Sequence, residues 1–417
     1  MSPTGNLLEA LVILPVSIVA FLILLMIIVF FHEYGHFSVA RMLGVRVDVF
    51  SIGFGKPLLR WVDRKGTEWR ISMLPLGGFV KFFGDLNAAS QAPADSQQKP
   101  VTTQFPGPGD KEKLEGGMTA EERKVCFHFK PVWRRAAIVA AGPVANFVLA
   151  VIIFAVLFMT LGRVFVEPRI TSVAENTPAA EVGFMPGDLI KSVNGRRIES
   201  WDSLRDQILV SGGSELRVEV DRQGQNILLT VTPRRVDGED RYGNKIEYWQ
   251  LGVGGPTQYV FKEYGPVDAL GEGVKELSRI LSMTIRYIGK IIIGKEDASQ
   301  LGGPIKMAQY AGQSVMSGFD DSSYRETPGL AVKLRASLID FVFLAAVVSV
   351  SIGFLNLLPV PVLDGGHLMY YAYEAVAGRP LGARAQAMGF RLGFVLLASL
   401  MIFVTWNDIN NLLSSLS

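Results

Sequence analysis

With 417 residues, 49% of them hydrophobic and only 19% charged, the chain is too apolar for a soluble protein of its length and reads as a polytopic membrane protein. Its net charge of +2 comes from basic residues scattered along the chain rather than interleaved with aromatics, which excludes a nucleic-acid-binding face. The single cysteine, Cys126, excludes an internal disulfide.

Residues 1–45 form the first predicted region. Ala10 to Phe31 carries no charge, and at helical rise it spans roughly 33 Å, enough for a hydrocarbon core of about 30 Å. The run is too long for a cleavable signal peptide and lacks a basic leader and a small-residue cleavage site. It is expected to remain as a membrane helix. At its end stands "HEYGH". His32 and His36 are four residues apart, so on a helix their side chains diverge by roughly 40° and two imidazoles share one face. Glu33 stands beside them, off the ligand line, where it can take a proton from water. Two ligands and a base are what H-E-x-x-H supplies to a zinc hydrolase. A chance pentapeptide on a buried helix is the competing reading, weakened because the chain holds only four histidines.

Residues 46–84 are strand-like, in "VDVFSIGF", "LLRWV" and "TEWRISMLPLGGFVKFF", and predict a β-hairpin region with Gly77-Gly78 as a bend. The apolar "FVKFF" suggests that it dips into the membrane or lines a cavity. "GFGK" is no phosphate loop, because its first glycine is missing and Pro57 follows Lys56. Residues 85–130, rich in Gln, Pro, Ala, Asp, Ser and Gly, predict a flexible polar insert, with His128 as a structural side chain. Residues 131–162 hold a second spanning candidate, the uncharged run from Ala136 to Leu161.

Residues 163–236 read as an α/β module. "GDLIKSVNGRRI" gives two strands about an Asn194-Gly195 turn, "WDSLRDQIL" has helical spacing, and "LRVEVDRQGQNILLTV" alternates on both sides of a polar turn. Together with "ENTPAAEVGFMPGDLIKSVNG" it resembles a PDZ domain of the bacterial protease type. That resemblance implies capture of an extended peptide at a sheet edge, the alternative being a spacer. In the linker at 237–336, "VKELSRILSMTIRYIGKIIIGKE" sets Lys275, Arg279, Arg286 and Lys290 among apolar positions and predicts a helix lying at the membrane interface.

Residues 337–378 contain the third run, Phe341 to Leu363, which ends against Asp364 in "GFLNLLPVPVLDGGH". An ionisable group at membrane depth is functional by default, and a catalytic zinc needs a third protein ligand. Pro359 and Pro361 break the helix and turn the carboxylate inward. His367 is the rival ligand; Asp364 is preferred for its nearness to the membrane segment and for Gly365 and Gly366, which allow close approach. In residues 379–417, Leu392 to Trp406 spans if Arg391 snorkels and "AQAMGF" contributes. Arg41, Arg46, Arg134, Arg135, Arg379, Arg384 and Arg391 flank the helices on one side, whereas residues 1–31 and the tail from Trp406 carry no Lys or Arg. The positive-inside rule then puts both termini and the α/β module outside the cytoplasm and the β-hairpin region inside it.

HEYGH, "GPVANF", the PDZ-like module, "LGGPI" and "NLLPVPVLDGGH" together resemble the site-2 protease family of intramembrane zinc metalloproteases over nearly the whole chain. The resemblance implies Zn2+ held by His32, His36 and Asp364, with Glu33 as the base and Asn356 holding substrate near the metal. It further implies a lipid-embedded site opening to the cytoplasmic side of a bacterial inner membrane. The substrate would be the membrane helix of a single-pass protein, such as an anti-sigma factor already cut outside the membrane. Members carry tandem PDZ domains where this sequence shows one, and the insert at 85–130 is unusually long. The expected fold is a polytopic α-helical membrane protein with about four transmembrane helices, a membrane-associated cytoplasmic β-hairpin region and an inserted extracytoplasmic PDZ-like α/β domain. The competing readings are a non-proteolytic metal-binding scaffold or transporter with a PDZ recruitment domain, and a surface zinc peptidase acting on soluble peptides.

Overall fold

The computed structural model describes residues 3–84, 119–239, 245–255, 260–295, 298, 301–319 and 329–416. Among them four helices are long and apolar enough to cross a membrane: α1 (Pro3–Met42), α3 (Val132–Leu161), α8 (Leu330–Asn356) and α10 (Ala383–Leu416). Their ends differ from those of the apolar runs. Helix α1 continues through HEYGH to Met42, because "SVARM" contains no breaker before Gly44, whose φ of 72° ends the helix. Helix α8 stops at Asn356, short of the apolar run's end at Leu363, since Pro359 and Pro361 lack the amide N–H a continuing helix needs. Helix α10 starts at Ala383, well before Leu392, because charged Arg384 and Arg391 interrupt hydropathy but not helical hydrogen bonding.

The chain divides into two compact units. Residues 1–153 and 302–408 form the first, which holds β1 (Val47–Val62), β2 (Glu68–Phe82), α2 (Ala120–Val125), α7 (Pro304–Met316) and α9 (Asp364–Ala377) besides α1, α8 and the greater part of α3 and α10. Strand β1 is flanked twice: Val49, Phe50, Ser51 and Ile52 each pair with one residue from 68–71 and one from 78–81. This doubling seats Phe50, fully buried, against the rings of Phe30, Phe37 and Trp69. The tail of the expected polar insert is ordered instead of flexible. Thr119 forms a capping box with Glu122 at the start of α2, and Cys126 and Phe127 are buried, Phe127 stacking on Phe82. Apolar side chains inside a polar composition account for the difference. Residues 85–118 of that insert lie outside the described residues.

Residues 154–301 and 409–417 form the second unit. Its four-stranded antiparallel sheet runs in the order β6-β5-β7-β8 (Arg196–Arg197, Leu189–Val193, Leu216–Arg222, Gln225–Val231). The β5–β6 turn uses Asn194 and Gly195 at φ values of 50° and 75°, as an Asn-Gly hairpin requires. Short strands β3 (Arg163–Phe165) and β4 (Ser172–Val173) pair with β12 (Val260–Lys262) and β11 (Val253–Gly254), and β9 (Arg234–Glu239) with β10 (Lys245–Gln250). Two helices, α4 (Pro178–Glu181) and α5 (Trp201–Ser211), contribute Ala179, Leu204 and Ile208 to a core with Ile190, Val193, Val218 and Val231. Helix α6 (Pro266–Ile292) follows.

Candidate metal centre

One helical turn of α1 supplies two of the site's nitrogens. His32 and His36 meet edge to face, with their Nε2 atoms 3.2 Å apart. The third atom comes from the first residue of α9: Asp364 Oδ2 lies 3.2 Å from His32 Nε2 and 3.5 Å from His36 Nε2. Tetrahedral zinc, with bonds of about 2.0–2.1 Å to histidine, sets its ligand atoms about 3.3 Å apart. The triangle matches that spacing. Among the described residues Asp364 Oδ2 is buried with only the two imidazole nitrogens near it, and with those nitrogens unprotonated that is a costly state for a carboxylate oxygen, which a cation at the centre of the triangle relieves. The donor set and its spacing therefore fit the metal.

Close helix packing makes the triangle possible. A Cβ on Gly35 would stand 2.3 Å from the carbonyl oxygen of Ala141, and one on Gly142 would stand 2.3 Å from His36 Nε2 and 2.9 Å from His32 Cε1. Only glycine at these positions lets α1 and α3 approach with both imidazoles between them. Helix α9 is tied to α3 by an ion pair of 2.7 Å between Arg135 and Glu374, both largely buried, with the Arg135 guanidinium also over the Tyr371 ring. The chain at 357–363 then turns tightly onto α9: a Cβ on Gly365 would lie 2.3 Å from the carbonyl oxygens of Leu357 and Leu358.

The far ring nitrogens are also held. His36 Nδ1 lies 2.9 Å from the Ile138 carbonyl oxygen and donates to it, which leaves Nε2 with its lone pair toward the triangle. His32 Nδ1 lies 3.3 Å from the side-chain amide of Asn146, a fully buried residue of α3 whose own backbone carbonyl accepts from Ser349 Oγ at 2.9 Å. The nearer amide atom is Nδ2, and Asn146 Oδ1 is buried without a hydrogen bond among the described residues; with metal on Nε2 the His32 proton sits on Nδ1, and the amide accepts it once turned to present Oδ1.

Glu33 makes no hydrogen bond or ion pair among the described residues, and β2 passes over it at Gly78, where a Cβ would stand 2.9 Å from Glu33 Cγ. Asn356 is the last residue of α8 and half-buried, with no side-chain hydrogen bond among the described residues. His367 lies one turn into α9, edge-on to Tyr370, and His128 stands edge-on to Phe127; the metal-capable cluster contains neither. Asn146 and Gly142 went unremarked as site residues although "GPVANF" contains both. Their i, i+4 spacing, which puts them on one face of α3, was the available signal.

A membrane helix bundle with such a two-histidine, one-carboxylate triangle defines a class, and the sequence comparisons agree with it. The sequence profile of peptidase family M50 matches residues 20–400, and the chain belongs to that family. A provisionally named zinc metalloprotease of Agrobacterium fabrum is 41% identical over 401 residues, covering 95% of this chain and 96% of its own. The metalloprotease MmpA of Caulobacter vibrioides is 38% identical over 398 residues, covering 95% and 96%. Among solved structures, a PDZ domain from Listeria monocytogenes covers 22% of this chain and 85% of its own, at 22% identity and a TM-score of 0.17, a likeness too slight to fix a fold. The protein is thus a multi-pass membrane zinc metalloprotease, which removes the scaffold and transporter readings.

Proposed function

We propose that the enzyme cleaves transmembrane segments of single-pass membrane proteins, with His32, His36 and Asp364 holding zinc, Glu33 as the base and Asn356 steadying the substrate. The observation that carries this is the triangle of ligand atoms, 3.2, 3.2 and 3.5 Å on its sides. The histidines lie six and ten residues inside the end of α1, about 9–15 Å along the helix axis. Zinc, when bound, polarises a carbonyl oxygen and makes water acidic enough to deprotonate near neutral pH. Glu33, which makes no hydrogen bond or ion pair among the described residues, takes that water's proton and returns it to the departing amine. The Ile138 carbonyl and Asn146 keep both imidazoles in the ligand tautomer throughout.

A helical substrate shields its own peptide bonds, so it must unwind before cleavage. The 78–82 arm beside Glu33 offers a strand edge on which an unwound segment could pair. In this reading both termini and the PDZ-like module at 163–236 face away from the cytoplasm, in a bacterial inner membrane, and water enters from the cytoplasmic side. The substrate class is an anti-sigma factor or similar regulator whose outer domain another protease has already trimmed, the module excluding untrimmed proteins or gripping a new C-terminus. The experiment is co-expression with candidate single-pass proteins, wild type against Glu33→Gln. A truncated product that depends on Glu33, at unchanged zinc content, supports the mechanism; equal turnover by both enzymes refutes it.

A further inference from the structure

Helix α6 is not one of the four candidate spans, and its side chains separate into two faces. Val267, Leu270, Val274, Ile285 and Ile292 are all exposed and fall within roughly 60° of one another around the axis. Turned by roughly 100° from that stripe, Arg286, Gly289, Lys290 and Ile293 line a pocket of about 480 Å3 whose opposite wall includes Arg196 and Gln207. All of it lies within the second unit.

The pocket is built for negative charge. Lys290 Nζ is held by the Ser211 carbonyl at 2.9 Å and Ser214 Oγ at 3.2 Å, and Arg286 Nη1 by Gln207 Oε1 at 3.2 Å. The Gln207 acceptor of Arg286 is neutral. Asp206, the nearby acid, is committed to Arg279 at 2.7 Å, and neither Arg196 nor Arg286 has an ion-pair partner among the described residues. Burial, and then the charge of Arg196, push the Arg286 guanidinium below its usual value, with Asp206 opposing them. Two guanidinium groups that repel each other at one pocket are relieved by an anion between them.

We propose that this pocket binds the phosphodiester of an anionic membrane lipid, with α6 lying in the bilayer surface and its apolar stripe among the acyl chains. The apolar stripe selects a lipid over free phosphate, because cations at headgroup height beside an apolar face are the geometry of an interfacial helix. A zwitterionic headgroup fits less well, since its ammonium would face Arg196 and Arg286.

The test uses the full chain in mild detergent, mixed with equal amounts of phosphatidylglycerol and phosphatidylcholine and read by native mass spectrometry. Wild type is expected to retain phosphatidylglycerol at least about tenfold over phosphatidylcholine, and Arg196→Gln and Arg286→Gln to lose most of that preference. Arg196 is exposed on the short edge strand β6, so its variant keeps the fold; unchanged resistance of the second unit to proteolysis checks this for both. The double variant Ile285→Ser/Ile292→Ser should also release the lipid. Equal retention by wild type and both arginine variants overturns the proposal. So does displacement of the lipid by equimolar inorganic phosphate with the isoleucine variant behaving as wild type, which would make this a free-phosphate site.

Discussion

Replacing Asn146 by Leu tests whether the metal centre depends on the residue behind its ligand. Leucine has nearly the same volume and tolerates burial, so the packing of this fully buried position is largely kept while the polar group is lost. The His32 Nδ1–H, now 3.3 Å from the Asn146 amide, would have no acceptor, and an orphaned buried donor costs about 1–3 kcal/mol. The imidazole can escape by moving its proton to Nε2, but that blocks the ligand atom. Either way the loss falls on zinc affinity, by about 10- to 100-fold, or about 1.4–2.7 kcal/mol. Competition against a graded series of chelators, with the enzyme in detergent, reads this directly. Asn146→Asp, which still offers an acceptor, should recover most of the affinity. Ser349→Ala removes only a bond to the Asn146 backbone carbonyl and should change affinity by less than about threefold. Wild-type zinc affinity in Asn146→Leu would refute the reasoning.

Three further outcomes are expected. Gly142→Ala should abolish zinc retention at micromolar metal while leaving the second unit folded, because its Cβ would stand 2.3 Å from His36 Nε2; metal content after gel filtration checks it. Asp188→Ala removes the partner of Arg222, bonded at 2.7 and 2.8 Å from a fully buried carboxylate, and should destabilise the second unit by about 3 kcal/mol, seen as faster proteolysis between 163 and 236 with zinc unchanged. At Asp63, burial pushes the carboxyl up, but hydrogen bonds from Trp69, the Lys65 and Thr67 amides and Arg41 outweigh it and hold the group at about 2. A depressed carboxyl stabilises the fold above its ordinary value of 3.8 and loses that contribution as pH falls toward 2, so acid should release the β1–β2 turn in that window, with a change in tryptophan emission that Asp63→Asn shows already at neutral pH.

The half of the proposed metal site contained in HEYGH was legible because the two proposed ligands and the proposed base sit within one helical turn, where spacing alone fixes geometry. Asp364 was legible for a different reason: a lone carboxylate at the end of an apolar run is conspicuous in lipid. Asn146 had neither advantage. It is a neutral amide inside a long apolar helix, and its role exists only because α1 and α3 cross at Gly35 and Gly142. Helix ends departed from the apolar runs in both directions for one reason: hydropathy records where lipid stops and hydrogen bonding records where the helix stops. Thus α1 outruns its apolar segment, which ends at Phe31, by running on to Met42, and α8 falls short of its own by stopping at Asn356. The double pairing of Val49 to Ile52 was hidden as well, because alternation along a strand shows which face is buried but not how many neighbours lie at its edges.

Asp408 shows how tertiary structure adds what a motif leaves out. "LGGPI" reads as a helix start, with Pro304 in its first turn, but Gly303 ahead of it offers no side chain to cap the helix. The cap comes from far along the chain: Asp408, buried near the end of the fourth span, accepts from the amides of Gly303 and Lys306 at 2.9 and 3.0 Å. A carboxylate at a helix N-terminus is stabilised by the amide dipoles it meets, and here it also joins α10 to α7. Helix α7 packs in turn on α1, where Gly312 admits the Ser17 side chain and Ala311 lies in a cluster with Ala20, Leu24 and Ile28. The buried charge near the end of α10 therefore braces the upstream half of the helix that carries His32 and His36. An acidic residue inside a candidate spanning helix can thus serve the active site without approaching the metal, which is why Asp364 and Asp408 have to be told apart by their partners.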